Sequence, residues 1–204
     1  MATAELTATI DSSMDKEAPT NNYGALVFLW LGANVSGGSK TENRRSILNF
    51  DVSSLAGATI NSALLRRAIQ SSTGGGFAAT VYRCTRPADW VEAEATWNNY
   101  KSATAWTAAG GDYDASTPTP VGYTEPGATG QFDITGLAAF VTDALANRSG
   151  IVSVILRAND EAPTSTERTT AQSSETPESP PAPPTLIVDY TPAGGGFNMR
   201  NYWP

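Results

Sequence analysis

The chain has 204 residues, with 13 Lys and Arg against 20 Asp and Glu for a net charge of −7, and it contains no His. That balance offers no basic stripe for nucleic acid, and the missing imidazoles remove His-based triads, His–metal sites and the usual pH switch. The single cysteine, Cys84, excludes an internal disulfide and CxxC metal or redox motifs.

In chain order, strands dominate. Glu5–Ile10 alternates and is rich in Thr. Ala25–Leu31 is the longest apolar run; it has a strand's length and no alternation, which predicts burial on both faces and falls far short of a membrane span. Arg44–Phe50 alternates from Ser46 onward, with Ile47 and Asn49 on one face and Leu48 and Phe50 on the other. Ser62–Ile69 and Phe77–Cys84 follow, joined through Ser71–Gly76 as a flexible hairpin connection. Gln131–Ile134 is the next strand. Leu137, Phe140, Val141, Ala144 and Leu145 then fall at helical spacing, with Thr135 as N-cap and Gly150 as stop. This helix is expected to cover an open end of the fold. Ile151–Arg157, Arg168–Ser173 and Thr185–Thr191 complete the strands, and the prolines of Pro177–Pro184 hold the approach to the last one extended. Short strands separated by Gly, Pro and Ser at this spacing predict an all-β, jelly-roll-like sandwich with one short capping α-helix.

Residues 1–192 read as one domain and 193–204 as a tail. Ala193-Gly-Gly-Gly196 is a tether, and Phe197, Met199, Arg200, Tyr202 and Trp203 form a partner-docking group, because large apolar side chains beyond three glycines need a surface to bury them. Edge strands that must be covered, together with this tail, predict a homo-oligomer, either dimer or trimer. Met1–Leu6 carries neither the basic nor the apolar region of a signal peptide, which predicts synthesis in the cytoplasm.

Carboxylates are the only acid–base pairs left to consider. Glu92 and Glu94 share one face of a strand, about 7 Å apart by strand rise, with Asp89 near. No second carboxylate from a distant segment is identifiable, so no catalytic residue is assigned. Asp112-Tyr-Asp114 and Asp160-Glu161 lack the rhythm of a calcium loop and read as solvated acids, while Asp11 and Asp51 read as turn caps. No metal and no cofactor is expected. Trp30 reads as core, and Trp90 and Trp97 as packing and turn residues. Tyr100 and Trp106 lie on a loop-like stretch and are the candidates for carbohydrate contact; small neighbours such as Ala103 and Ala105 make packing beneath the loop the competing reading. Arg44-Arg45 and Arg66-Arg67 each split across two faces, so that one of each pair faces solvent or lies against a carboxylate such as Asp51.

Several segments resemble a known module. Ala8-Thr-Ile-Asp-Ser12 with Pro19-Thr-Asn-Asn-Tyr-Gly24 is similar to the opening of DNRLRE domains, also called carbohydrate-binding module family 96. Arg45–Leu55 resembles their strand and exit turn, Ala58–Leu65 the strand after it, and Trp90-Val-Glu-Ala-Glu-Ala-Thr-Trp-Asn98 their most specific segment. Phe132-Asp-Ile-Thr, the helix and Pro184–Thr191 complete the order, so that the resemblance runs over residues 6–191 and leaves the tail outside.

The resemblance implies a β-sandwich that binds and does not catalyse. Such domains occur beside polysaccharide-acting enzymes, in large surface proteins and in bacteriophage virions. With a tethered tail and no catalytic groups, the first expectation is a virion surface component. That would be a capsid decoration (cement) or related head or tail protein, made in the host cytoplasm, with capsid or other virion subunits as partners. The alternative is a secreted carbohydrate-binding module with a polysaccharide partner. Neither nucleic acid nor membrane is expected as a partner.

Overall fold

The computed structural model of the protein describes residues 1–86, 89–175 and 182–193. Fourteen strands form within them: β1 (Ala2–Thr7), β2 (Ile10–Asp15), β3 (Phe28–Ser36), β4 (Ser39–Asp51), β5 (Thr59–Thr73), β6 (Phe77–Cys84), β7 (Asn99–Lys101), β8 (Thr104–Ala105), β9 (Tyr113–Asp114), β10 (Val121–Glu125), β11 (Gly130–Thr135), β12 (Ile151–Ala158), β13 (Glu167–Gln172) and β14 (Thr185–Thr191). One helix, α1 (Ala138–Asn147), lies between β11 and β12. No helix of the described residues is long and apolar enough to cross a membrane.

Two long strands organise the layers. The fifteen-residue β5 pairs with β14 over its first half and with β13 at its far end, while β11 takes the opposite edge. The thirteen-residue β4 pairs with β3 at its start and lies between β2 and β12 further on. Hydrogen bonding continues from β1 through β14, β5, β13, β3, β4, β12 and β6 to β10. The predicted all-β sandwich with a short helix is the observed fold.

Inward residues of β5, β11 and β14 (Ala63, Leu65, Ile134, Leu186, Val188) meet those of β3, β4, β6 and β12 (Leu31, Leu48, Phe50, Val81, Val154, Leu156) in one core. Phe140, Val141 and Ala144 of α1 close that core, as the helical spacing predicts. Gly150 donates its N–H to the Ala144 carbonyl and stops the helix. Thr135 is not its N-cap: it ends β11 opposite Leu64, and Leu137 stands at the cap position with no side-chain bond.

Three further expectations are corrected. The predicted strand Glu5–Ile10 is two strands, because Ala8 N–H bonds Pro184 O on the β14 side and Thr9 N–H bonds Asn49 O on the β4 side, so that the chain changes partner there. Ser71–Gly76 is not a hairpin link: β5 and β6 do not pair, and β6 lies between β12 and β10. Two-sided burial occurs at β4 and β12 and not at Ala25–Leu31, where Leu26, Val27 and Phe28 are exposed. On the far side of β4 and β12, Ile47 and Ile155 support a second core of Met14, Cys84, Trp90, Trp97, Tyr100 and Trp106, roofed by the excursion that follows β6.

Candidate functional site

The segment between β2 and β3 is pinned to that roof. Asn22 donates through Nδ2 to the carbonyls of Glu92 (2.6 Å) and Ala95 (2.8 Å), and its Oδ1 accepts the Gly24 N–H at 3.2 Å. A Cβ at Gly24 would sit 2.3 Å from the Glu92 carbonyl oxygen, so only glycine allows the approach. Tyr23 is thereby held edge-on to Trp30, with ring centres 5.9 Å apart and planes at 84°. Both rings are half-buried, beside the exposed strip Leu26-Val27-Phe28.

Arg44 fixes this pair from behind. Its guanidinium lies 3.8 Å from the Trp30 ring centre and 4.6 Å from that of Tyr23. Its Nε donates to Asp15 Oδ2 at 2.9 Å and its Nη2 to Glu42 Oε1 at 3.2 Å, and Arg168 donates to the other oxygen of Glu42. Backbone N–H groups of Asn43 and Glu17 hold Asp15 Oδ1, both at 3.0 Å. The rings therefore rest on a charge-balanced support, in which the buried Arg44 Nη1 makes no hydrogen bond among the described residues.

Three carboxylates converge next to them. One oxygen from each of Asp11, Glu92 and Glu175 lies within 4.8 Å of the others. Asp11 is 1% exposed, accepts the Ser174 N–H at 2.7 Å, and donates its own N–H to Glu92 Oε1 at 2.6 Å. Burial, the charge of Glu175 and, more weakly, that of Glu92 push Asp11 up to about 8. Burial first, and then Glu175, also raises Glu92. Ser173 ties this cluster to the exposed strip, donating through Oγ to Leu26 O (2.7 Å) and through N–H to Val27 O (3.2 Å). The three residues could hold a divalent cation through one oxygen each, with hydroxyls or water completing its oxygen shell. Asp11 is too enclosed to meet a substrate as an acid or base.

A cleft of about 680 Å³ lined by Thr85, Arg86, Asp89, Thr107, Asp112 and Tyr113 among others is formed within the roof segment. Its polar groups are mostly spent on each other. Arg86 Nε donates to Asp112 Oδ2 at 2.6 Å, and Asp112 also accepts the N–H groups of Thr107 and Ala108. The Tyr113 hydroxyl accepts from Arg157, and its ring packs on Tyr82 at 4.6 Å.

The sequence-derived candidates fall as follows. Tyr100 and Trp106 are 8% and 4% exposed, with ring centres 5.5 Å apart inside the second core, and neither offers an open face. Packing beneath the loop describes both. Trp30, expected in the core, is instead half-buried on the site side. Glu94 accepts the Ser102 N–H and does not pair with Glu92; the structure brings Glu92 the distant carboxylates of Asp11 and Glu175. Asp51 caps a turn at Ser53 as expected, whereas Asp11 lies buried in β2. Asp114 pairs with Arg83, and Glu161 with Arg45 and Arg157, so these acids are engaged and not simply solvated. Asp160 bonds the Ala162 N–H. The arginine pairs do split, but onto Asp15, Glu161, Asp133 and Glu125, and not onto Asp51. Phe197, Met199, Arg200, Tyr202 and Trp203 lie outside the described residues. Sequence reasoning missed Tyr23 and the carboxylate triad; the one available signal was Asn22-Tyr-Gly24, which reads as a tight turn.

The family model of carbohydrate-binding module family 96 matches residues 2–189. No curated protein matches the chain.

Proposed function

We propose a polysaccharide-binding role for this chain, which belongs to carbohydrate-binding module family 96, and we assign the contact surface to Tyr23, Trp30 and the strip Leu26–Phe28. The observation that carries this assignment is the Tyr23–Trp30 pair: two rings fixed by a turn and an arginine, beside exposed apolar residues. Sugar rings present apolar C–H faces that stack on such side chains, while ring hydroxyls seek polar groups at the margin. The margin here is formed by the half-buried Glu92 and Glu175, with Asp11 enclosed behind them. A role at a virion surface draws no support from the family match, and the tail that would dock there lies outside the described residues.

Affinity electrophoresis in gels containing soluble polysaccharide tests this surface. Trp30→Ala removes a stacking partner worth roughly 1.5–3 kcal/mol, so affinity is expected to fall about tenfold or more. Trp30→Phe should retain most of it. Near-ultraviolet dichroism checks that the fold persists. Unchanged retardation by Trp30→Ala and Tyr23→Ala would remove the surface from consideration.

A further inference from the structure

We infer that the groove between the start of β5 and α1 seats this chain's own segment 197–204, with Phe197 as the side chain that enters it. The groove holds about 480 Å³ and is lined by Gly57, Ala58, Ile60, Thr142, Leu145 and Ala146 among others. That is roughly three times the ~150 Å³ of an apolar cavity that takes up benzene, so a phenyl ring fits with room for a neighbour. Ile60 and Leu145 pack on the main core yet stay only half-buried, which leaves an apolar margin open at this end of the sandwich. No charged side chain lines the groove among the described residues, and the Thr142 hydroxyl is spent on the Ala138 carbonyl. Such a surface suits an apolar side chain and offers an ion or the hydroxyls of a sugar little to bond.

The course of the chain chooses the occupant. β14 runs antiparallel to β5 until Thr191 pairs with Thr59, itself part of the groove's wall. Two residues later, the Ala193 methyl lies 3.5 Å from the place that a Cβ on Gly57 would take. The chain therefore leaves the described residues at the mouth of the groove. Three glycines follow, and then Phe197, Met199, Tyr202 and Trp203. At ~3.3–3.6 Å per residue, Phe197 lies within about 14 Å of Ala193. The glycines carry no side chain to obstruct a reversal that turns the ring back onto the groove. A ring tethered this closely meets its seat at an effective concentration in the millimolar range, far above that of a second copy in dilute solution.

The methyl resonances of Ile60 and Leu145, read together with amide hydrogen exchange, test this on the full chain. A ring seated on those methyls displaces their signals by its ring current. Phe197→Ala is expected to return the signals towards ordinary positions and to speed exchange at residues 57–60 and 142–146 about threefold or more. Ala146→Arg changes an exposed position on the groove, keeping Phe197 but blocking its seat. It is expected to speed exchange of residues 197–204 while the strands keep their wild-type protection. Neither signal should depend on protein concentration. Methyl positions unchanged by Phe197→Ala, or exchange of 197–204 unchanged by Ala146→Arg, would overturn the inference. Ring-current displacements that grow with concentration would also overturn it, since they would give the groove to the segment of a second copy. Retardation by polysaccharide is read separately, through Trp30→Ala, and none of these outcomes alters it.

Discussion

Glu125→Ala is expected to destabilise the domain by about 3–5 kcal/mol, enough to remove much of the stability of a typical small domain. Arg67 of β5 and Glu125 of β10 form an ion pair that is fully buried on both sides. Glu125 also accepts from the Tyr123 hydroxyl at 2.8 Å and from Thr169 Oγ1 of β13 at 2.9 Å. One carboxylate therefore joins three strands. Arg67 Nε and Nη2 have no hydrogen-bond partner among the described residues, so removing Glu125 strands a cation in the interior. Replacing both residues together, as in Arg67→Met with Glu125→Leu, should restore most of the loss, because neither charge is then orphaned. Urea unfolding of the three proteins measures both effects. A cost below about 1 kcal/mol for Glu125→Ala would mean that water reaches the pair.

Stability should also fall as pH rises from about 5 to 8, at up to ~1.4 kcal/mol per pH unit. Asp11 is the cause. Its folded-state value is raised from 3.8 to about 8 by burial and by Glu175, with a smaller push from Glu92. Between those values the folded chain keeps a proton that the unfolded chain has released, so each step upward in pH favours unfolding. Asp112 and Glu161 act in the opposite sense at lower pH. Despite burial, hydrogen bonds from Arg86 and backbone N–H groups lower Asp112, and Arg45 and Arg157 lower Glu161. Their contribution is fully present above the unfolded value near 4 and is lost as pH falls through the folded one. Maximum stability is accordingly expected near pH 5. Asp11→Asn keeps an acceptor for Ser174 and should flatten the decline towards pH 8. Thermal unfolding across the range, in chelator and again with calcium, reads this directly. A wild-type profile in chelator that is flat from pH 5 to 8, or a slope that persists in Asp11→Asn, would contradict it. A calcium-dependent flattening would show that the triad takes up the ion.

The frame of the fold was legible because its signals are local. The β-rich run Thr185–Thr191 and the spacing of Leu137, Phe140, Val141 and Ala144 appear as strand and helix respectively. Which face of a strand stays open is not local. Leu29 and Leu31 enter the main core while Phe28 is exposed and Trp30 only half-buried, yet all four look equally apolar along the chain. Two-sided burial of β4 and β12 likewise depends on the excursion after β6 folding over them, and β4's own residues do not announce a second roof. The triad was harder still to read. Asp11, Glu92 and Glu175 are separated by most of the chain, and only the pairing of β2 with β4 and the docking of Asn22 on the roof bring them together. Their neighbourhood in sequence suggests turn caps and solvated acids, which is what isolated carboxylates between small polar residues usually are.

The central claim is that the Tyr23–Trp30 surface holds polysaccharide. Amide hydrogen exchange, measured with and without a saturating oligosaccharide released from a glycan that retards the protein, tests it most directly. The account expects slower exchange confined to residues 22–30 and 173–175, the turn, the strip and the segment tied to it by Ser173. Protection restricted to the cleft of Arg86, Asp89 and Asp112, with residues 22–30 unchanged at saturation, would contradict it.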